Sequence, residues 1–328
     1  MSLAPLSIPS PPVEWQVPIS IPIGEWFQWI PGVAVGAELE IRAYALCIIA
    51  GIIIATWLTE ARLRRRGVEP WAIIDVLIWA VPLGIIGARA WHVVTHPNDF
   101  FPIDPADPWA VVRIWDGGGA IFGALLFGGL GVWIGCRITG IRFLTFADAL
   151  APGLLLAQAA GRLGNWFNHE LFGPPTDLPW GLEIEATNPA YPVGLPEGLT
   201  FHPMFLYELL WNVLGAIVLL LLARRFTLQW GRVFALYLVW YGIGRAILEI
   251  FRLDPSELIL GVRSNDWGAI AAIVLGLVIF IVQTRRHPGL EPSPYRPGRE
   301  WTPTDRAVSS EDVYTESDEP AEAGAKAE

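Results

Sequence analysis

Seven apolar runs, at about 42–60, 71–93, 117–136, 145–165, 205–223, 232–250 and 266–284, divide this 328-residue chain. Each approaches the roughly 17–25 residues that a helix needs to cross a bilayer. Inside hydrocarbon a backbone must satisfy its own polar groups, so such runs are read as helices. Composition agrees: 53% of residues are hydrophobic, 16% are charged and the mean hydropathy is +0.44, too apolar for an ordinary soluble domain. The expectation is an all-α polytopic membrane protein with about seven transmembrane helices.

Arginines orient the spans. Arg62, Arg64, Arg65 and Arg66 follow the first, Arg137 and Arg142 the third, Arg224, Arg225 and Arg232 the fifth, and Arg285 and Arg286 the last. By the positive-inside rule these alternate connections are cytoplasmic. The amino terminus is then outside and the carboxyl terminus is cytoplasmic.

Three regions follow. Residues 1–41 form an extracytoplasmic arm without lysine or arginine, unlike a cleavable signal peptide; its stretch Pro22–Ile30 is aromatic enough to rest at an interface. Residues 42–286 are the membrane domain, within which 166–204, rich in Pro, Gly, Asn and Thr, form a small extracytoplasmic head with short strands around Leu182 and Ile184. Residues 287–328 read as a disordered acidic tail: from Gly289 onward ten acids face four bases, accounting for most of the net charge of −10. Cys47 and Cys136 have neither disulfide nor metal-ligand spacing.

Polar residues converge at one depth. Arg162 lies about 25 Å along span four from its inner end; Arg245 and Glu249 lie about 20 and 26 Å along span six. Tyr241, Arg245, Glu249 and Arg252 share one stripe of that helix, while His202, Tyr207 and Glu208 open span five and Gly117, Gly118 and Gly119 open span three, all at the outer end. Each group alone has a bland explanation. Arg245 and Glu249 fit a local ion pair, Asn165 and Asn168 fit a helix end, His202 before Pro203 fits a helix start, glycines suit close helix contacts, and Asp75 and Asp148 suit helix dipoles. Their coincidence at one level favours a site, because ionisable groups inside a membrane are costly.

Two arginines with amide and carboxylate neighbours suit a phosphate, since guanidinium offers bidentate donors and keeps its charge when partly desolvated. A phospholipid headgroup is the ligand this suggests. Walker A, dinucleotide, HExxH and GxSxG patterns are absent, and no nucleic-acid partner is expected.

The segment Gly161-Arg162-Leu163-Gly164-Asn165-Trp166-Phe167-Asn168-His169-Glu170 resembles the signature of the prolipoprotein diacylglyceryl transferase family. The likeness extends, in order and spacing, from Ile41-Arg42-Ala43-Tyr44 through Ile114-Trp115-Asp116-Gly117-Gly118 and His202-Pro203 to Tyr207-Glu208 and Tyr241-Gly242-Ile243-Gly244-Arg245 to Glu249. It implies transfer of the diacylglyceryl group of phosphatidylglycerol to the lipobox cysteine of a prolipoprotein peptide, with release of glycerol phosphate and no cofactor. Under this resemblance Arg162 and Arg245 hold the phosphate, Asn165, Asn168 and Tyr44 orient the headgroup, and Glu170 and Glu249 fix the arginines or take the thiol proton. His202 and Arg252 join the binding set, and Gly117, Gly123 and Gly173 match family glycines.

One position departs. Where many members carry a histidine, this chain has Phe122 in Ile121-Phe122-Gly123-Ala124. The base then passes to Glu249, Glu170, Tyr44 or His202, or the field of the arginines lowers the thiol pKa from about 8.5. A transporter or translocator of an anionic lipid is the alternative, since glycine-interrupted helices around arginines also describe transport sites.

Overall fold

The computed structural model describes residues 7–22, 26, 39–101, 111–114, 118–253 and 258–302. All seven apolar runs are helices: α1 Ala43–Arg64, α2 Ala72–Thr95, α3 Ile121–Thr139, α4 Phe143–Phe167, α5 Met204–Arg225, α6 Arg232–Glu249 and α7 Ser264–Arg286. Six are long and apolar enough to cross a membrane. The exception is α6, where Arg232, Arg245 and Glu249 interrupt an otherwise apolar 18-residue helix. Large apolar side chains such as Ile53, Trp57, Leu125, Leu221 and Val274 are exposed along the helices, as a lipid-facing surface requires.

The most buried of the long membrane helices, α4, is the centre of the bundle. Small residues set the helix spacing, because aliphatic lipid offers no hydrophobic drive for association and packing must supply it. A Cβ on Gly51 of α1 would stand 2.9 Å from the Ala157 carbonyl of α4, and one on Gly153 would stand 3.0 Å from Ala55 Cα. The α2–α3 pair closes the same way: a Cβ on Gly131 would meet the Trp79 carbonyl at 2.5 Å, and one on Gly135 would meet Val76 Cα at 2.6 Å. Between α5 and α6, Trp211 and Trp240 stack at 4.6 Å, each indole N–H donating to the other's carbonyl. Gly215 and Gly244 leave the room for these rings.

At the end bearing most loop arginines, hereafter the arginine-rich end, charges are absorbed by backbone. Arg62 donates to the Asp148 carbonyl at 3.1 Å, Arg66 to Leu228 at 3.3 Å and Arg232 to His287 at 3.0 Å. Asp148 does not serve the start of its own helix. Its fully buried carboxylate accepts from the Gly231 and Phe234 amides at 2.8 and 2.9 Å, capping α6 across the bundle.

The composition-based expectation of disorder from residue 287 requires correction over its first part. Residues 287–302 form a strap across this end. Tyr295 is 3% exposed and packs with Leu63, Ile73, Ile141 and Phe146. Glu291 accepts from Thr145 Oγ1 and the Trp230 amide at 2.8 and 3.0 Å and faces Arg66 at 3.7 Å. The prolines and glycines that looked like disorder instead shape an extended chain whose anchors are one aromatic and one carboxylate. Residues 303–328 lie outside the described part, as does most of the Pro22–Ile30 stretch.

At the opposite end, residues 168–203 make the small head. Strands β1 Leu182–Glu183 and β2 Thr200–Phe201 pair antiparallel over a core of Phe172, Leu182, Ile184, Phe201 and Phe205. The amino-terminal arm docks here: the Ile8 amide donates to Gly181 and the Glu183 amide to the Ile8 carbonyl.

Candidate active site

The last turns of α4 and α6 and the first turns of α5 and α7 meet at the head end. Each contributes charge. Arg162 of α4 pairs with Glu208 of α5. The other oxygen of Glu208 faces Arg252, just beyond α6, at 3.5 Å. Arg252 also lies 3.9 Å from Glu249, which pairs with Arg245 at 2.9 Å and Arg263 at 3.3 Å and accepts from Asn265 of α7 at 3.1 Å. Four guanidiniums thus share two carboxylates in one connected chain. Glu249 and Glu208 are 2% and 6% exposed, so their charges depend on these partners.

A second branch starts from Arg162. Its Nη1 donates to Asn165 Oδ1 at 3.3 Å, and the Asn165 and Asn168 amides donate to Glu170 Oε1 at 2.9 and 3.3 Å. The turn that presents Glu170 needs left-handed backbone at His169 and Leu171, φ 53° and 59°. His169 is tied there by Glu185 at 3.0 Å, and its carbonyl accepts from Asn188. Such strain in non-glycine residues persists only where surroundings enforce it.

The remaining sequence candidates fall around this network. Tyr44 packs its ring where a Cβ on Gly164 would come within 2.6 Å, one residue from Asn165. Gly173 lies under His202, where a Cβ would meet the His202 Cβ and the Phe251 carbonyl at 2.9 Å each. His202 belongs to a different chain: its Nδ1 lies 3.1 Å from the Tyr207 hydroxyl, which accepts from Trp180. Gly123 is a helix contact, its α-carbon facing the Gly87 carbonyl and Trp91 Cβ of α2. Phe122 is 63% exposed beside Trp91. Gly117 lies outside the described residues.

Sequence reasoning missed Arg263 and Asn265 and gave Glu208 no role. The signal was available, since α7 starts at the same end as α5 and its opening Arg263-Ser264-Asn265 is polar. Arg89 was missed as well: buried in α2, it donates to the carbonyls of Val111, Arg113 and Gly118 at 2.9–3.0 Å and fixes the loop before α3.

Chemically, the network can hold an anion. Arg162, Arg245, Arg252 and Arg263 face Glu208, Glu249 and, through amides, Glu170, leaving positive charge in surplus. The carboxylates are occupied holding donors, and the guanidiniums of Arg162 and Arg245 have further N–H groups to offer a phosphate.

Residues 32–282 match the family model described as prolipoprotein diacylglyceryl transferase. The chain is 58% identical to a phosphatidylglycerol–prolipoprotein diacylglyceryl transferase of Leifsonia xyli, over 93% of this chain and 89% of that one. It is 48% identical to the enzyme so named from Paenarthrobacter aurescens, over 79% and 84%, and 46% identical to the second such enzyme of Streptomyces coelicolor, over 77% and 79%.

Proposed function

The chain belongs to the prolipoprotein diacylglyceryl transferase family, and from that premise we propose that it moves the diacylglyceryl group of phosphatidylglycerol onto the cysteine thiol of a prolipoprotein lipobox. The single observation that carries the site assignment is the chain of four arginines and two buried carboxylates at the end of α4 and α6. The comparisons lend no support to the translocator alternative.

In the proposed step the cysteine sulfur attacks the glycerol carbon that bears the phosphate. A carbon–sulfur bond forms, the carbon–oxygen bond breaks, and its electron pair leaves with glycerol phosphate. Charge builds on the departing phosphate oxygen. Arg162 and Arg245 are the phosphate donors, held in advance by Glu208 and Glu249, so little reorganisation is needed as charge develops. One preorganised donor of this kind is worth about 3–4 kcal/mol of barrier. Asn165, Asn168 and Tyr44 orient the headgroup beside Arg162.

Phe122 supplies no base. Glu249 and Glu170 are engaged with arginines and amides, and His202 with Tyr207. The reading favoured by these contacts is that the surplus positive field stabilises the thiolate, the proton passing to solvent or to the released phosphate. The head end faces the outside of a bacterial cell membrane, where secreted precursors present their cysteine; the arginine distribution supports this orientation.

The test uses purified protein in phosphatidylglycerol micelles with a lipobox peptide. A diacylglyceryl gain in peptide mass, glycerol phosphate release, and loss of both with a Cys→Ser peptide are expected. Lipid binding without mass gain contradicts the proposal.

A further inference from the structure

A second arginine-lined cavity lies at the opposite end of the bundle. It has a volume of about 400 Å³, and its walls include Arg137 and Trp133 of α3, Arg142 at the start of α4, Trp230 before α6, Gln283 of α7 and Arg296 of the strap. This is within the size range of small-molecule sites.

Three observations say that it is built for an anion. First, its cations are unmatched. Among the described residues Arg137 meets only the Trp133 ring face, 4.8 Å away; Arg142 donates Nε to the Tyr295 carbonyl and stacks on Trp230 at 5.3 Å; Arg296 donates to the Cys136 carbonyl. The one acid in the lining, Glu291, is already engaged by Arg66, Thr145 and the Trp230 amide. Second, two buried polar atoms of the lining, the Trp230 indole nitrogen and Gln283 Oε1, have no partner among the described residues. Each buried orphan of this kind calls for a partner, which a ligand or ordered solvent supplies. Third, burial, with Arg137 and Arg299 nearby, lowers the Arg296 pKa from its ordinary value, as like charges gathered on one side of the cavity do.

Trp133 and Phe143, exposed at 45% and 38%, carry the rim onto the lipid-facing surface. A soluble anion has no use for that apolar ramp, whereas acyl chains do. We propose that this cavity binds the phosphodiester headgroup of an anionic phospholipid from the leaflet opposite the active site, with Arg137, Arg142 and Arg296 on the phosphate, the Trp230 N–H as a further donor, and Gln283 on a headgroup hydroxyl. Basic pockets between membrane helices bind anionic headgroups by the same physics. The ligand bridges α3, α4 and the strap, and so joins the α2–α3 pair to the rest of the bundle.

The test is native mass spectrometry of the full chain released from phosphatidylglycerol micelles, in an Arg162→Gln/Arg245→Gln background that removes lipid held at the active site. A retained lipid is expected, and adding Arg137→Gln and Arg296→Gln lowers the lipid-bearing fraction of the folded chain about tenfold. Arg137→Gln alone, whose side chain touches only an exposed ring, gives a smaller drop in the same direction and guards against misfolding. Inorganic phosphate that leaves the lipid in place identifies a headgroup held with its chains; phosphate that displaces it, or adds its own mass, identifies a soluble phosphate ligand with the same chemistry. Equal retention of phosphatidylcholine, no retained lipid or phosphate in the starting background, or unchanged retention in the folded four-substituted chain overturns the proposal.

Discussion

Both ends of this bundle concentrate arginine, yet they use it in opposite ways. At the arginine-rich end Arg62, Arg66, Arg142, Arg232 and Arg296 donate to main-chain carbonyls. There the guanidinium acts as a bolt between loops, and its place is set by backbone. At the head end Arg162, Arg245, Arg252 and Arg263 share Glu208 and Glu249. There the guanidiniums are held chiefly by side chains, several to each carboxylate, with Arg263 donating to the Glu249 and Arg252 carbonyls as well. A carboxylate divided among cations fixes their positions without cancelling their charge. Positive-inside counting finds the first kind of arginine; the second kind performs the proposed chemistry.

The contrast can be broken most severely at Glu249. Glu249→Ala removes the carboxylate shared by Arg245, Arg252 and Arg263, and leaving buried charges unpaired costs about 3–5 kcal/mol. A lowered unfolding midpoint in detergent together with lost transfer is expected, whereas Glu249→Gln, which keeps the shape and some hydrogen bonds, retains more stability. If the alanine variant unfolds at the parental midpoint, the carboxylate is not the anchor described.

A smaller effect is expected at the other end. Glu291→Ala strips the strap of its bonds to Thr145 and Trp230 and its contact with Arg66. Leaving such buried donors unsatisfied costs about 1–3 kcal/mol. The unfolding midpoint falls while the folded fraction transfers lipid at the parental rate per molecule. A loss of rate with no loss of stability would join the two ends functionally and remove the distinction.

The smallest effect is a pH dependence. Burial, the largest cause, and the neighbouring Glu69 charge raise the Tyr295 pKa above its ordinary value, partly offset by the Glu69 amide donating to its hydroxyl. A phenol whose folded pKa is raised contributes stability that is fully present below its unfolded value of about 10 and is lost as pH rises through the folded value. Wild type therefore loses stability above pH of about 10 more steeply than Tyr295→Phe, as thermal unfolding across that range will show; parallel curves would place Tyr295 in solvent.

The fold was largely legible because helices in lipid have a length and composition that single-residue patterns reveal. All seven runs became helices, and Arg162, Arg245 and Glu249, placed by rise along their axes, occupy the same end. Tertiary roles escaped the sequence. Asp148 looked like a helix-start residue of α4 and caps α6, because a buried carboxylate serves whichever amides packing brings to it. Tyr295 looked like part of a disordered tail, because composition averages over a window and one aromatic anchor is enough to dock a strap. Gly123 looked like a substrate glycine and faces Gly87 of α2, since close backbone approach serves helices as well as ligands. Arg263 and Asn265 gain their role only when packing brings the start of α7 against Glu249 at the end of α6.

The most direct measurement compares transfer rates for Arg162→Gln, Arg245→Gln and Arg66→Gln in the same phosphatidylglycerol micelles, each normalised to folded protein. The account predicts losses of about 10²–10³-fold for the first two and a parental rate for Arg66→Gln. Parental transfer by Arg162→Gln and Arg245→Gln, or an equal loss in Arg66→Gln, would contradict the assignment of phosphate chemistry to the arginines that share carboxylates.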